Sequence, residues 1–249
     1  MQVSAEAQSS WTRRFVATQD SELRLVCFPH AGGSAAYFRP LAQSLAPRVE
    51  TLAVQYPGRQ DRRHEPLLDS VPALADAAFA ALRRELEGPF AFFGHSLGAI
   101  VAFEVARRFE QLTPQGPVRL FASARRAPSV GRDERVHLLD DAGLIAELNT
   151  LGGTAAGVLD DPELRALVLP IVRADYRAVE TYAPVPAGAR LTCPVSVFVG
   201  GSDHLAPLPE ARAWEGHTTK GADVRLFDGG HFYLDENTGA VAAAVLETL

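Results

Sequence analysis

Residues Pro89–Leu112 read PFAFFGHSLGAIVAFEVARRFEQL. The first part, FAFFG over 90–94, is apolar without alternation, as a strand buried on both sheet faces should be. From Leu97 onward apolar residues recur at helical spacing. Between the two runs stands Gly94-His95-Ser96-Leu97-Gly98, with a small polar residue at the tightest point of a buried segment. Gly-x-Ser-x-Gly alone is a weak pattern, but its place between strand and helix gives it meaning. A turn that sharp demands small neighbours, and it lifts the Ser96 hydroxyl above the carboxyl edge of the sheet, where α/β proteins build their sites. The helix start also directs free N–H groups toward that hydroxyl.

The remaining chain repeats the same rhythm. Strands are expected at 23–28, 51–57, 90–94, 118–124, 194–201 and 224–230, all apolar runs. Helices are expected at 71–86, with Ser70 as its cap, from Leu97, and from Glu236 to the end. Alternating strands and helices imply a mostly parallel sheet covered on both faces. From about 127 to 190 the rhythm stops and only helix signals remain: LLDDAGLIAELNTLGG, ended by Gly152-Gly153, then DPELRALVL and PIVRADYRAVETY. Asp161-Pro162 reads as a cap followed by proline in the first turn, and Pro170 should end or kink a helix. The chain is therefore expected to be one domain, 1–249, with a helical insertion at about 127–190.

A neutral serine needs a base, and the base needs an orienting acid. In a parallel α/β sheet these should come from later strand ends, in the order serine, acid, histidine. Asp203 follows PVSVFVGG in a Gly/Ser turn, and His231 follows VRLFDGG after the last strand. His95 has the wrong side-chain direction for a base. His204 adjoins Asp203 without a strand-end loop of its own, and His64, His137 and His217 stand in polar surroundings and are expected to be solvated. The loop after 118–124 reads Ser123-Ala124-Arg125 and offers no carboxylate, while Asp228 is expected to cap its own turn. Acyl transfer also requires donors for an oxyanion. The N–H of Leu97 is one candidate, and the N–H of Ala31, in the loop CFPHAGGSAAYF after the first core strand, is the other.

Composition limits the alternatives. The chain has 249 residues, 47% hydrophobic and 22% charged, with a net charge of −6. That balance argues against global disorder and against non-specific nucleic-acid binding. Cys27 and Cys193 are far apart, each in or beside an apolar run, with no metal-ligand or redox spacing. No cofactor-binding or metal-ligating motif stands out. MQVSAEAQSSWTRRF lacks the basic start and apolar core of a signal peptide, and no run is long enough to span a membrane, so a cytoplasmic chain without membrane contact is expected. With no exposed apolar stripe evident, a monomer is expected.

Taken together, FPHAGGSAAYF, YPGRQDR, GHSLGA, LGGT, DPELRALVLPIVRADYRAVETY, GGSDHLAP and GGHFYL resemble the type II thioesterases, stand-alone α/β-hydrolases that accompany modular polyketide and non-ribosomal peptide synthases. The resemblance runs in order over roughly 15–245, without departure at a catalytic position. It implies an α/β-hydrolase fold whose insertion is a lid. It implies hydrolysis of aberrant or stalled acyl groups from the phosphopantetheine arm of an acyl or peptidyl carrier protein, with Ser96 as nucleophile, His231 as base and Asp203 orienting it. Leu144, Ile145, Leu148, Leu151, Leu164, Leu167 and Val168 are then candidates to line an acyl cavity, against plain helix packing. Arg125, Arg126, Arg132 and Arg135, and likewise Arg59 to Arg63, are candidates to meet an acidic carrier or a phosphate, against a solvated surface. Two other readings share the motif: a carboxylesterase or amidase acting on free small molecules, and a non-catalytic binding protein of the same fold.

Overall fold

A computed structural model of the chain describes residues 10–18, 21, 23–152, 159–183, 185 and 188–249. Seven strands form one sheet: β1 (Thr12–Arg14), β2 (Arg24–Phe28), β3 (Glu50–Val54), β4 (Phe90–His95), β5 (Leu120–Ser123), β6 (Val195–Gly200) and β7 (Ala222–Phe227). Their order across the sheet is β1-β3-β2-β4-β5-β6-β7. All neighbours are parallel except β1, which runs antiparallel to β3. The apolar runs fall on the six parallel strands. β1 escapes the sequence reading because Thr12-Arg13-Arg14 has no apolar run; it is defined only by its partner, Thr12 opposite Val54.

Alternation along each strand divides the core. Val26 and Phe28 of β2 and Phe92 of β4 face one side, with helices α2 (Val71–Glu85) and α3 (Leu97–Leu112). Leu25, Cys27 and Phe93 face the other, with α1 (Arg39–Leu45) and α7 (Tyr233–Thr248). β7 departs from the expected double burial: as an edge strand it is buried fully only at Phe227. Each fully buried Phe or Leu side chain contributes about 1.5–3 kcal/mol relative to exposure. Helix α2 is capped by Ser70, whose hydroxyl accepts the Ala73 N–H at 3.4 Å. Helix α7 begins at Tyr233, three residues ahead of the expected start, and kinks at Asn237.

Between β5 and β6 lie α4 (Asp141–Leu151) and α5 (Pro162–Glu180), with the short α6 (Leu208–Arg212) following β6. Asp140 caps α4 by accepting the Gly143 N–H, and Gly152 closes it with φ 73°. Gly153 and Thr154, part of the expected stop and of LGGT, lie outside the described residues. Asp161 caps α5 through the N–H groups of Glu163 and Leu164. Of the two expected effects of Pro170, the ending of a helix does not occur: it lies inside the continuous α5. Its ring is exposed, while Leu169, Val172, Asp175 and Ala178 bury the opposite side, and that packing carries the helix across the missing N–H. Leu144, Leu159, Leu169 and Val172 form a small core of the insertion's own.

Candidate active site

The turn at Ser96 is dictated by two close approaches. A β-carbon on Gly94 would lie 2.2 Å from the Gly98 carbonyl oxygen, and one on Gly98 would lie 2.0 Å from the carbonyl oxygen of Phe28 at the end of β2. Only glycine permits α3 to start that close to two strands. Ser96 itself adopts φ 55°, ψ −117°, a conformation few L residues occupy, and its N–H donates to the Ser123 carbonyl at 2.8 Å. Strain of this kind persists only where its surroundings enforce it.

Three strand ends meet there. His231 Nε2 lies 2.9 Å from Ser96 Oγ, and His231 Nδ1 lies 2.9 Å from Asp203 Oδ2. The carboxylate accepts the Nδ1 proton and so fixes the neutral tautomer that leaves Nε2 free to accept the serine proton. Asp203 is held in turn, because its Oδ1 accepts the Leu205 N–H at 2.9 Å. The Asp203 loop is tied to the His231 loop by Ser202 N–H to the Gly229 carbonyl, also 2.9 Å. Asp203 and His231 are both buried. His204 is exposed and takes no part. Asp228 caps nothing with its carboxylate among the described residues; its carbonyl accepts from Asn237 Nδ2.

The other histidines fall into place by packing. His95 Nδ1 and the Tyr233 hydroxyl share Ser123 Oγ, at 2.8 Å and 2.6 Å. Burial, with His231 nearby, holds His95 far below the usual histidine range. His30 packs edge-on against Tyr37 and Phe232, and burial, followed by the charges of His231 and Arg59, pulls its pKa down to about 3. Both therefore stay neutral around the His231–Ser96 pair. Two expectations of solvation are corrected. His217 is buried between Phe103 and Trp214, with Nε2 2.9 Å from Ser129 Oγ. His137 is paired through Nδ1 with the buried Glu180. His64 is exposed as expected.

Ala31 and Leu97 share a small cavity with Ser96 and His231. Among the described residues neither backbone N–H has a hydrogen-bond acceptor. Beside it opens a mostly apolar cavity of about 450 Å³, whose walls include Ser96, His231, Phe232, Leu148, Leu151, Val168, Val172 and Tyr176. Of the expected lining residues, Leu148, Leu151 and Val168 face this space. Leu144 and Ile145 pack within the insertion, and Leu164 and Leu167 are exposed. Val172 and Tyr176 were missed, although they extend Val168 at steps of four along one helix face.

Arg63 and Arg135 lie exposed on the surface, whereas the other candidate arginines are more committed than a solvated surface would make them. Arg126 is buried and bonded to Glu134 at 2.6 Å; Arg132 reaches Glu134 and Glu210; Arg135 pairs with Asp133 on the surface. Burial, then the neighbouring Arg126, lowers Arg125 to about 9. Arg59 is buried against Asp175, and Arg62 stacks on Trp11 while pairing with Glu65. Among the described residues no group of three or more His, Cys, Asp or Glu side chains is arranged to hold a metal ion, and no helix is long and apolar enough to cross a membrane.

A mostly parallel sheet with a serine at the strand–helix turn, and an acid and a histidine on later strand ends, defines the α/β-hydrolase class. The thioesterase domain model matches residues 23–249, and the chain belongs to that family of hydrolases of acyl thioesters. It is 46% identical over 244 residues to the probable cadicidin biosynthesis thioesterase of Streptomyces griseus, covering 98% of this chain and 67% of that one. It is 52% identical over 227 residues to the thioesterase PikA5 of Streptomyces venezuelae, covering 91% and 80%. Among solved structures, the type II thioesterase BorB from the borrelidin biosynthetic cluster superposes with a TM-score of 0.88 at 47% identity, covering 95% of this chain and 96% of that one.

Proposed function

We propose that this chain is a stand-alone type II thioesterase that removes aberrant or stalled acyl groups from the phosphopantetheine arm of carrier proteins in polyketide or non-ribosomal peptide synthesis. Ser96 is the nucleophile, His231 the general base and acid, and Asp203 the residue that orients the imidazole. The observation that carries the reading is the unbroken Asp203–His231–Ser96 hydrogen-bond chain at the mouth of an apolar cavity walled by α4 and α5. The similarity to the probable cadicidin biosynthesis thioesterase and to the type II thioesterase of the borrelidin biosynthetic cluster supports the choice of substrate.

The chemistry runs in two halves. Ser96 Oγ attacks the thioester carbonyl carbon as His231 Nε2 takes its proton, and the imidazolium that forms is stabilised by Asp203. The N–H groups of Ala31 and Leu97 receive the developing oxyanion; one such donor is worth roughly 10²–10³ in rate. The C–S bond then breaks, and the carrier thiol leaves with the proton from His231. A water molecule, activated by the same imidazole, attacks the acyl-enzyme, and the acid is released as Ser96 regains its proton. The insertion acts as a lid over the acyl group, and the 450 Å³ cavity beside Ser96 receives the acyl chain.

The test is comparative. Acyl-phosphopantetheinyl carrier protein and a simple aryl ester of the same acid are offered at equal concentration, and carrier deacylation is followed by intact mass. Preference for the carrier thioester is expected. A strong preference for the aryl ester instead would favour a carboxylesterase acting on free small molecules.

A further inference from the structure

The turn that carries Ala31 is held from outside the sheet. His30 to Gly33 form a β-turn closed by Gly33 N–H to the His30 carbonyl at 2.9 Å, with φ 76° at Gly32. The Gly32 N–H points away from the turn and donates to Asp175 Oδ2 at 2.7 Å. Asp175 belongs to α5, 143 residues later. The same carboxylate oxygen pairs with Arg59 Nη2, and Arg59 Nη1 donates to the Pro57 carbonyl at 2.7 Å. Asp175 and Arg59 are 0% and 3% exposed, so this is a buried ion pair shared by three separate segments. Val172, one turn earlier on α5, presses on the same peptide: a β-carbon on Gly32 would lie 2.8 Å from its Cγ2.

A buried ion pair is a poor device for stability alone, since apolar residues of similar volume often do as well. Here the pair joins the insertion to a backbone whose placement decides where an oxyanion donor lies. Burial pushes the Asp175 carboxyl up, and the Arg59 guanidinium and Gly32 N–H work against that by favouring its ionised form. We infer that Asp175 is a positioning residue for the Ala31 N–H: by accepting the Gly32 N–H on an oxygen anchored by Arg59, it locks the 30–33 turn to α5, so that the oxyanion site is complete only while the insertion is seated. This rests on the assignment of Ala31 as an oxyanion donor in the reading above.

Two double variants separate positioning from mere structure. Arg59→Met with Asp175→Asn removes both charges but keeps a carbonyl acceptor for Gly32. Arg59→Met with Asp175→Ala removes the acceptor as well. Both are assayed with S-acetyl-N-acetylcysteamine, with rates expressed per active site titrated by a fluorophosphonate, which corrects for any misfolded fraction. The acceptor-keeping variant should hold kcat within about fivefold of wild type, while the acceptor-free one loses about 10²-fold in kcat with KM little changed, the signature of a contact made in the transition state. Equal per-site kcat in the two variants, at any level, overturns the inference. Ser96→Ala run alongside keeps the outcomes distinct, because full activity in that variant counts against the serine mechanism itself.

Discussion

The α-carbon of Gly98 packs so tightly on the Phe28 carbonyl that a β-carbon would lie 2.0 Å from the oxygen and 2.8 Å from the carbonyl oxygen of Pro29. Both obstacles are backbone, so neither can rotate aside. Gly98→Ala must therefore push α3 from the end of β2, which separates the Leu97 N–H from the turn at Ala31. The expected cost is at least about 2 kcal/mol of stability, at the upper end of overpacking effects. A urea titration beside the acetyl-thioester assay should show both stability and per-site rate reduced. A variant with a wild-type midpoint would mean that the contact is looser than the geometry requires.

Chain-length preference should follow the wall of the larger cavity. Val168 stands one turn from Val172 on the same face of α5, and both line the space that opens beside Ser96. Val168→Phe should leave acetyl-thioester hydrolysis within about threefold while lowering kcat/KM for an octanoyl thioester roughly 10–100-fold, because each excluded methylene costs on the order of 1–3 kcal/mol. A matched series of acyl thioesters reads this directly; a uniform loss across the series would place the acyl chain elsewhere.

Acid should destabilise the fold through the two histidines buried beside the site. The folded pKa of His30 is lowered to about 3, and that of His95 lies well below its unfolded value. The unfolded chain therefore binds more protons as pH drops below about 6.5, and the folded state loses ground by up to about 1.4 kcal/mol per pH unit for each histidine. The contribution is fully present above pH 6.5 and disappears as pH falls toward the folded values. Urea midpoints measured from pH 7 to pH 5 should fall, and His95→Gln should flatten that slope in part, the remainder belonging to His30 and to His217, which burial also lowers. An unchanged slope in the variant would show that His95 is not the group being titrated.

The six parallel strands were legible because each is an apolar run, and for all but the edge strand β7 burial on both faces writes itself into composition. The start of α5 was legible through Asp161-Pro162, and the helical character of the stretch between β5 and β6 through the absence of strand signals. Contacts that depend on distant partners were not. β1 exists only because Thr12 finds Val54, and Pro170 stays inside α5 only because Val172 and Asp175 are buried on the other side. His217 looked solvated among Gly216, Thr218 and Thr219, yet Phe103 and Trp214 enclose it. The residues singled out for the site lie at strand ends whose order a parallel sheet dictates, which is why Ser96, Asp203 and His231 could be named together. Asp175 could not, because nothing local in DYRAVETY reveals that its carboxylate meets Gly32.

Deacylation of an acetyl-loaded carrier protein by wild type and by Ser96→Ala is the most direct measurement. The mechanism predicts a rate at least about 10⁴-fold lower for the variant, as for loss of a nucleophile elsewhere, with an unchanged melting temperature. Hydrolysis by Ser96→Ala within tenfold of wild type would contradict it.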